Sequence, residues 1–236
     1  MKPFALVLAA AAAWHAPQLA AQSVCSSDGT AAPTALFERF LSADCEACWS
    51  DAATAAPPAG SSALVLDWIV PTSAGEDAAL SAAATRDALA RLESLGRSAP
   101  AATDVHIAAV QAAAAPARIR VAQGMAFNDY LGTGITWRAA AGGARRPAGA
   151  VDFVLLLVEA VPAGTDGTPV ARNLVRNMLQ GTWNKREQLS KKEQSTWMEQ
   201  RPMRIPDGAR PERLRVVGWV QDAQGRVLGA AQSACR

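Results

Sequence analysis

Histidine is almost missing from this chain. The 236 residues hold two, His15 near the N-terminus and His106 in the middle. That scarcity argues against histidine-built metal centres, and no acidic cluster replaces them. A serine-hydrolase triad would need His106 beside a nucleophile, yet no Gly-x-Ser-x-Gly turn occurs. His106 reads most simply as a lone histidine beside a strand. Walker and dinucleotide glycine motifs are missing too; Gly142-Gly143 followed by Arg145-Arg146 reads as a loop. Charge of one sign is also lacking. Lys and Arg number 23 against 21 Asp and Glu, a formal net charge of +2. A chain this near neutrality carries no electrostatic footprint for nucleic acid or anionic lipid. Beyond the N-terminus no apolar run reaches the roughly 18 residues that a membrane span needs. Phe153 to Val158 is the most apolar stretch, and its length suits a strand.

What is present starts with an export signal. Lys2 supplies positive charge, Phe4 to Ala13 a short apolar core, and Leu19-Ala20-Ala21 small residues at a cleavage site. Residues 1–21 therefore read as a signal peptide, leaving a mature chain of about 215 residues, enough for one large or two small domains. The expected location is periplasmic or secreted, and the expected partners are periplasmic or envelope proteins, with no nucleic acid among them. Cys25 follows Gln22-Ser23-Val24, a poor lipobox, and so reads as a disulfide cysteine. Four cysteines in an oxidising compartment are usually paired. They allow three connectivities. The natural one joins Cys45 to Cys48 and the structural pair Cys25 to Cys235.

Thr34 to Leu41 reads as a buried strand, with a short helix after the central cysteines. Ala63 to Val70 (ALVLDWIV) reads as a second buried strand. Ser73 to Glu76 resembles a capping box opening a helix to Leu95, with Leu80, Ala84, Ala88, Leu92 and Leu95 on one face and Gly96 as its cap. Strand, helix, strand, helix implies a parallel pair in an α/β layer, residues 22–115. From 116 to 236 strand-like segments follow at 118–123, 134–139, 151–160, 170–178, 214–221 and 226–231, a pattern for an antiparallel β-sandwich. Asp222 to Gly225 joins the last two as a tight turn. Thr182 to Arg201 is polar and mixed in sign, including Lys185, Arg186, Glu187, Lys191, Lys192 and Glu193. It reads as a solvated helix or loop pinned by Trp183, Trp197 and Met198.

Cys45-Glu46-Ala47-Cys48 is the one constellation able to carry chemistry. At the start of a helix, free amides lower a thiol's pKa, so Cys45 could attack a substrate disulfide and Cys48 resolve the product. The same bridge can be inert structure, and Asp44 and Glu46 oppose a thiolate with negative charge. Both readings stay open at this point. No cofactor and no metal are expected.

The segment Glu38-Arg39-Phe40-Leu41-Ser42-Ala43-Asp44-Cys45-Glu46-Ala47-Cys48 resembles the signature Glu-Leu-Phe/Tyr-Thr-Ser-x-x-Cys-x-x-Cys-Pro. That signature belongs to a family of exported, thioredoxin-like Gram-negative proteins, domain-of-unknown-function family 1223. Leu64 to Trp68, the helix ending Leu95-Gly96, Ala171-Arg172-Asn173-Leu174-Val175-Arg176 and the closing hairpin from Val220 to Ala231 are similar to further family segments. The resemblance implies a thioredoxin-like N-terminal α/β layer, truncated after Val110, followed by the β-sandwich. It implies no settled activity. Two departures stand out. Trp49 replaces the proline after the second cysteine. Alanine stands in Val105 to Ala109 where the family's cis-proline is expected.

Overall fold

The computed structural model describes residues 25–54, 56–57, 60–111, 118–138, 150–184 and 196–235. The expected signal peptide, the Gly142-Gly143 and Arg145-Arg146 loop, and the charged run from Lys185 to Glu193 lie outside the described residues.

The chain begins with β1 (Cys25–Ser26), β2 (Ala35–Ser42), α1 (Glu46–Ser50), β3 (Ala63–Val70), α2 (Arg86–Ser94) and β4 (Thr103–Ala109). It continues with β5 (Arg118–Phe127), β6 (Tyr130–Arg138), β7 (Val151–Val161), β8 (Arg172–Trp183), β9 (Thr196–Arg204), β10 (Leu214–Gln221), β11 (Val227–Gln232) and β12 (Ala234–Cys235). These strands form a seven-stranded sheet, β11-β10-β7-β8-β3-β2-β4, and a five-stranded sheet, β12-β1-β5-β6-β9.

Side-chain alternation makes two opposite apolar faces from the long central strands. On β7, Val154, Leu156 and Val158 join Trp68, Val217 and Trp219 on one face, which α2 covers with Ala88 and Leu92. Phe153, Leu155 and Leu157 point the other way, against Val121, Ile135 and Trp137 of the five-stranded sheet. The sheets thus pack as a sandwich over the β7–β10 half. Over the β2–β3–β8 half that same face receives α1 instead, through Leu41, Ile69, Leu174 and Trp49.

The expected thioredoxin-like α/β layer is not what the chain builds. The described residues are dominated by β-strands, with two α-helices of only five and nine residues. The parallel β2–β3 pair does form, in register from Ala35 opposite Ala63 to Ser42 opposite Val70. However, β3 continues sideways onto β8, so β2, β3 and β4 are one end of the sandwich's larger sheet. Strands from both sides of residue 115 therefore share that sheet.

The helix expected from Ser73 to Leu95 is broken for a local reason. Gly75 adopts φ +60°, outside the right-handed helical region, and only short 3-10 turns form at Gly75–Asp77 and Ser81–Ala83. The α-helix starts after Thr85, whose side chain accepts a hydrogen bond from the Asp87 amide. Leu80 and Ala84 consequently pack beside Trp49, away from the Ala88–Leu92 face.

The polar stretch also differs from expectation at its ends. Thr182 and Trp183 finish β8, and Thr196 onward forms β9, paired with β6 from Trp197 opposite Trp137. Trp183 and Trp197 are buried as pins, but Met198 points outward and is 59% exposed. The strand alternation decides it, since the neighbour of an inward Trp197 must face out. The hairpin at Asp222 to Gly225 forms as expected. Gly225 takes φ +74°, and the Asp222 carboxylate accepts from the amides of Gln224 and Arg226.

Candidate functional site: the Cys45–Cys48 turn

The turn grows directly from the end of β2. The Cys45 amide donates to the Ser42 carbonyl at 3.0 Å, which swings the chain out of the sheet and into α1. Cys45 is the N-cap, and its Sγ accepts from the Cys48 amide at 3.3 Å. The two cysteines are joined as a disulfide, and both are half-buried. Asp44 and Glu46 beside them are exposed, and Asp44 accepts from the Thr72 hydroxyl at 3.0 Å.

Trp49, the residue after the pair, is buried at 6% exposure, and its indole Nε1 donates to the Asp166 carbonyl at 2.7 Å. Arg172 lies over its ring, the guanidinium carbon 5.2 Å from the ring centroid. One nitrogen of Arg172, Nη2, donates to the carbonyls of Trp49 (2.8 Å), Asp51 (3.1 Å) and Cys48 (3.4 Å). These are the acceptors that the C-terminal end of α1 leaves unpaired. Arg172 Nε donates to Thr168 Oγ1 at 3.1 Å, and Nη1 lies 3.5 Å from Asp67 Oδ1.

Asp67 is wholly buried and shared. Arg39 binds it in a fork, Nε to Oδ1 at 2.7 Å and Nη2 to Oδ2 at 3.0 Å, and the Asn173 amide donates to Oδ2. Arg39 Nη1 reaches the Thr54 carbonyl, so the network grips the loop after α1 as well. Burial pulls the Arg172 guanidinium below its ordinary pKa, while the charge of Asp67 pushes back. On the opposite face of the sheet, Glu38 and Arg91 form a second buried fork at 2.9 and 2.7 Å, with Arg91 stacked over Trp219.

The structure thus brings Cys45 and Cys48 together on a turn anchored from below. Cys25 and Cys235 form their own disulfide elsewhere, where β1 pairs with β12. His106 sits on β4 opposite Glu38, apart from the cysteines. Its pKa is lowered, chiefly by burial. Sequence reasoning passed over Arg39, Asp67, Arg172 and Arg176. A signal was available: single charges inside apolar strands such as ALVLDWIV demand a buried partner. The partner's identity was not readable, because Arg172 lies 105 positions after Asp67.

Among the described residues no group of three His, Cys, Asp or Glu could hold a metal ion. No described helix is long and apolar enough to cross a membrane. No described peptide bond is cis.

No protein-family model matches the chain, and neither does any curated protein. The fold is similar to that of HBP35 of Porphyromonas gingivalis, with a TM-score of 0.52 at 10% identity, covering 86% of this chain and 76% of that one.

Proposed function

We propose that the chain is an exported, non-catalytic binding factor of the periplasm or cell envelope, with Cys45–Cys48 as a structural staple. Two disulfides support an oxidising compartment. The observation that carries the structural reading is the anchoring of the turn. Trp49 and Arg172 fasten the C-terminal end of α1 to the sandwich, and the bridge ties its N-cap, Cys45, to the same turn. The acidic flanks Asp44 and Glu46 oppose a reactive thiolate on Cys45. The two-sheet architecture also suits an interaction module, and the residue pattern around the cysteines supports distant kinship with domain-of-unknown-function family 1223 as part of the same proposal.

A second reading rests on a different observation: both cysteines are half-buried rather than enclosed, and Cys45 Sγ already accepts from the Cys48 amide. In that reading an external dithiol first reduces the Cys45–Cys48 bridge and is itself oxidised to a disulfide. The Cys45 thiolate then attacks a substrate disulfide, forming a mixed disulfide and releasing one substrate thiolate. Cys48 then attacks the mixed disulfide, re-forming the Cys45–Cys48 bond and releasing the second. Thiol alkylation after mild reductant separates the two. The staple reading expects Cys45 to label no faster than the terminal pair and no turnover of a disulfide substrate. Selective labelling of Cys45 with catalytic turnover would replace it by the oxidoreductase.

A further inference from the structure

Four buried ion pairs lie on the two faces of the larger sheet. Arg172 reaches Asp67 only at 3.5 Å, but that carboxylate is already forked by Arg39, whereas in the Arg176–Glu159 pair neither partner is forked to another charge. Arg39–Asp67 and Arg91–Glu38 each close to 2.7 Å with a two-point fork. Arg176 Nε stands 3.4 Å from Glu159 Oε2 and makes no hydrogen bond, although both side chains are only 6% exposed. The remaining contacts of this pair are long as well. Arg176 reaches the carbonyls of Ala82 at 3.4 Å and Asp207 at 3.2 Å, and Glu159 accepts from the Arg210 amide at 3.3 Å.

This slack pair faces an open cavity of about 240 Å³, walled on its apolar side by Trp49, Ile69, Leu80 and Leu174. At its rim the Asp166 carboxylate is already occupied by Arg210 at 3.2 Å and Arg213 at 2.6 Å. Burying a guanidinium and a carboxylate without full hydrogen bonding is costly, and a ligand that completes both sets removes that cost. An apolar wall with a few convergent polar groups is the usual composition of a small-molecule site.

We infer that this cavity binds a free α-amino acid with an apolar side chain. The ligand's carboxylate would take the Arg176 guanidinium, its ammonium the Glu159 carboxylate, and its side chain the wall made by Leu80, Leu174 and Trp49. The lining favours a zwitterion over an anion because Glu159 would repel a second negative charge left unbalanced. The volume suits one amino-acid residue. This inference deepens the binding-factor reading by naming a ligand class, and rests on it.

The test is calorimetric titration of the oxidised full-length protein with L-leucine and L-phenylalanine, beside N-acetyl-L-leucine and L-leucinamide. The expected result is saturable binding of a free amino acid, weakened at least about tenfold when either charged end is blocked. Arg176→Gln should weaken it similarly, and Ala83→Phe, which fills the cavity while sparing both charges, should abolish it. Absence of saturable binding, or equal binding of the blocked compounds, overturns the site. Neither result touches the staple reading, which thiol labelling and turnover decide separately.

Discussion

Arg172 stacks on the indole of Trp49 and donates to that same residue's carbonyl at 2.8 Å, so one side chain holds both ends of the residue that follows the cysteine pair. The contact joins positions 123 apart in sequence. It ties the Cys45–Cys48 turn, which grows from the end of β2, to the start of β8.

Removing that anchor should therefore be felt at the disulfide. Arg172→Ala leaves the carbonyls of Cys48, Trp49 and Asp51 without this donor, and a loss of about 2–3 kcal/mol is expected in urea unfolding. Alkylation of Cys45 under mild reductant should accelerate in the same variant. Unchanged labelling would mean that the turn holds itself.

The two bridges should differ in worth. Cys25 and Cys235 close a loop of 210 residues, whereas Cys45 and Cys48 are three apart. Chain-entropy reasoning gives about 5 kcal/mol for the long loop and about 1.6 kcal/mol for the short one. Paired Cys→Ser replacements compared by chemical denaturation should show the terminal pair as the larger loss.

Gly218 lies where β10 packs tightly against the five-stranded sheet. A Cβ there would stand 2.9 Å from Ile135 Cδ1 and from Val121 Cγ1, and 3.3 Å from Leu155. Gly218→Ala should cost roughly 1–3 kcal/mol by overpacking. Gly132→Ala, where a Cβ meets nothing within 4 Å, should change stability by less than about 0.5 kcal/mol.

His106 should give the fold an acid-side dependence. Burial lowers its pKa from 6.5, with Glu38 and Asp104 raising it and Arg91 and Arg97 lowering it further. A lowered folded pKa means the unfolded chain takes up the proton first, so stability is full above the unfolded value and declines as pH falls below 6.5. His106→Gln should flatten the stability profile between about pH 5 and 7. An identical profile in the variant would assign the dependence to another group.

Local patterns were legible where the chain talks to its neighbours. ALVLDWIV at Ala63–Val70 and LRVVGWVQ at Leu214–Gln221 form strands with the limits their composition suggests, and Asp222 to Gly225 turns as its residues require. The polar stretch misled because Trp197 looked like a pin on a loop, when period-two alternation with Met198 outward was already a strand signal. The broken helix misled because the capping-box pattern at Ser73 to Glu76 and the apolar spacing from Leu80 to Leu95 suggested one element, whereas Gly75 is left-handed and the α-helix starts only after Thr85.

The residues alone determined the segments with strand character, the turn chemistry, and the disulfide partners that an even cysteine count and spacing favour. Only tertiary packing decided that β3 lies beside β8, which merges the expected α/β layer into one sandwich and sets Arg172 beneath the cysteine turn and Arg176 beside Glu159. The physical reason is range. Propensity and periodicity act over a few residues, whereas a buried charge is satisfied by whichever distant partner the sheet order brings within hydrogen-bonding reach.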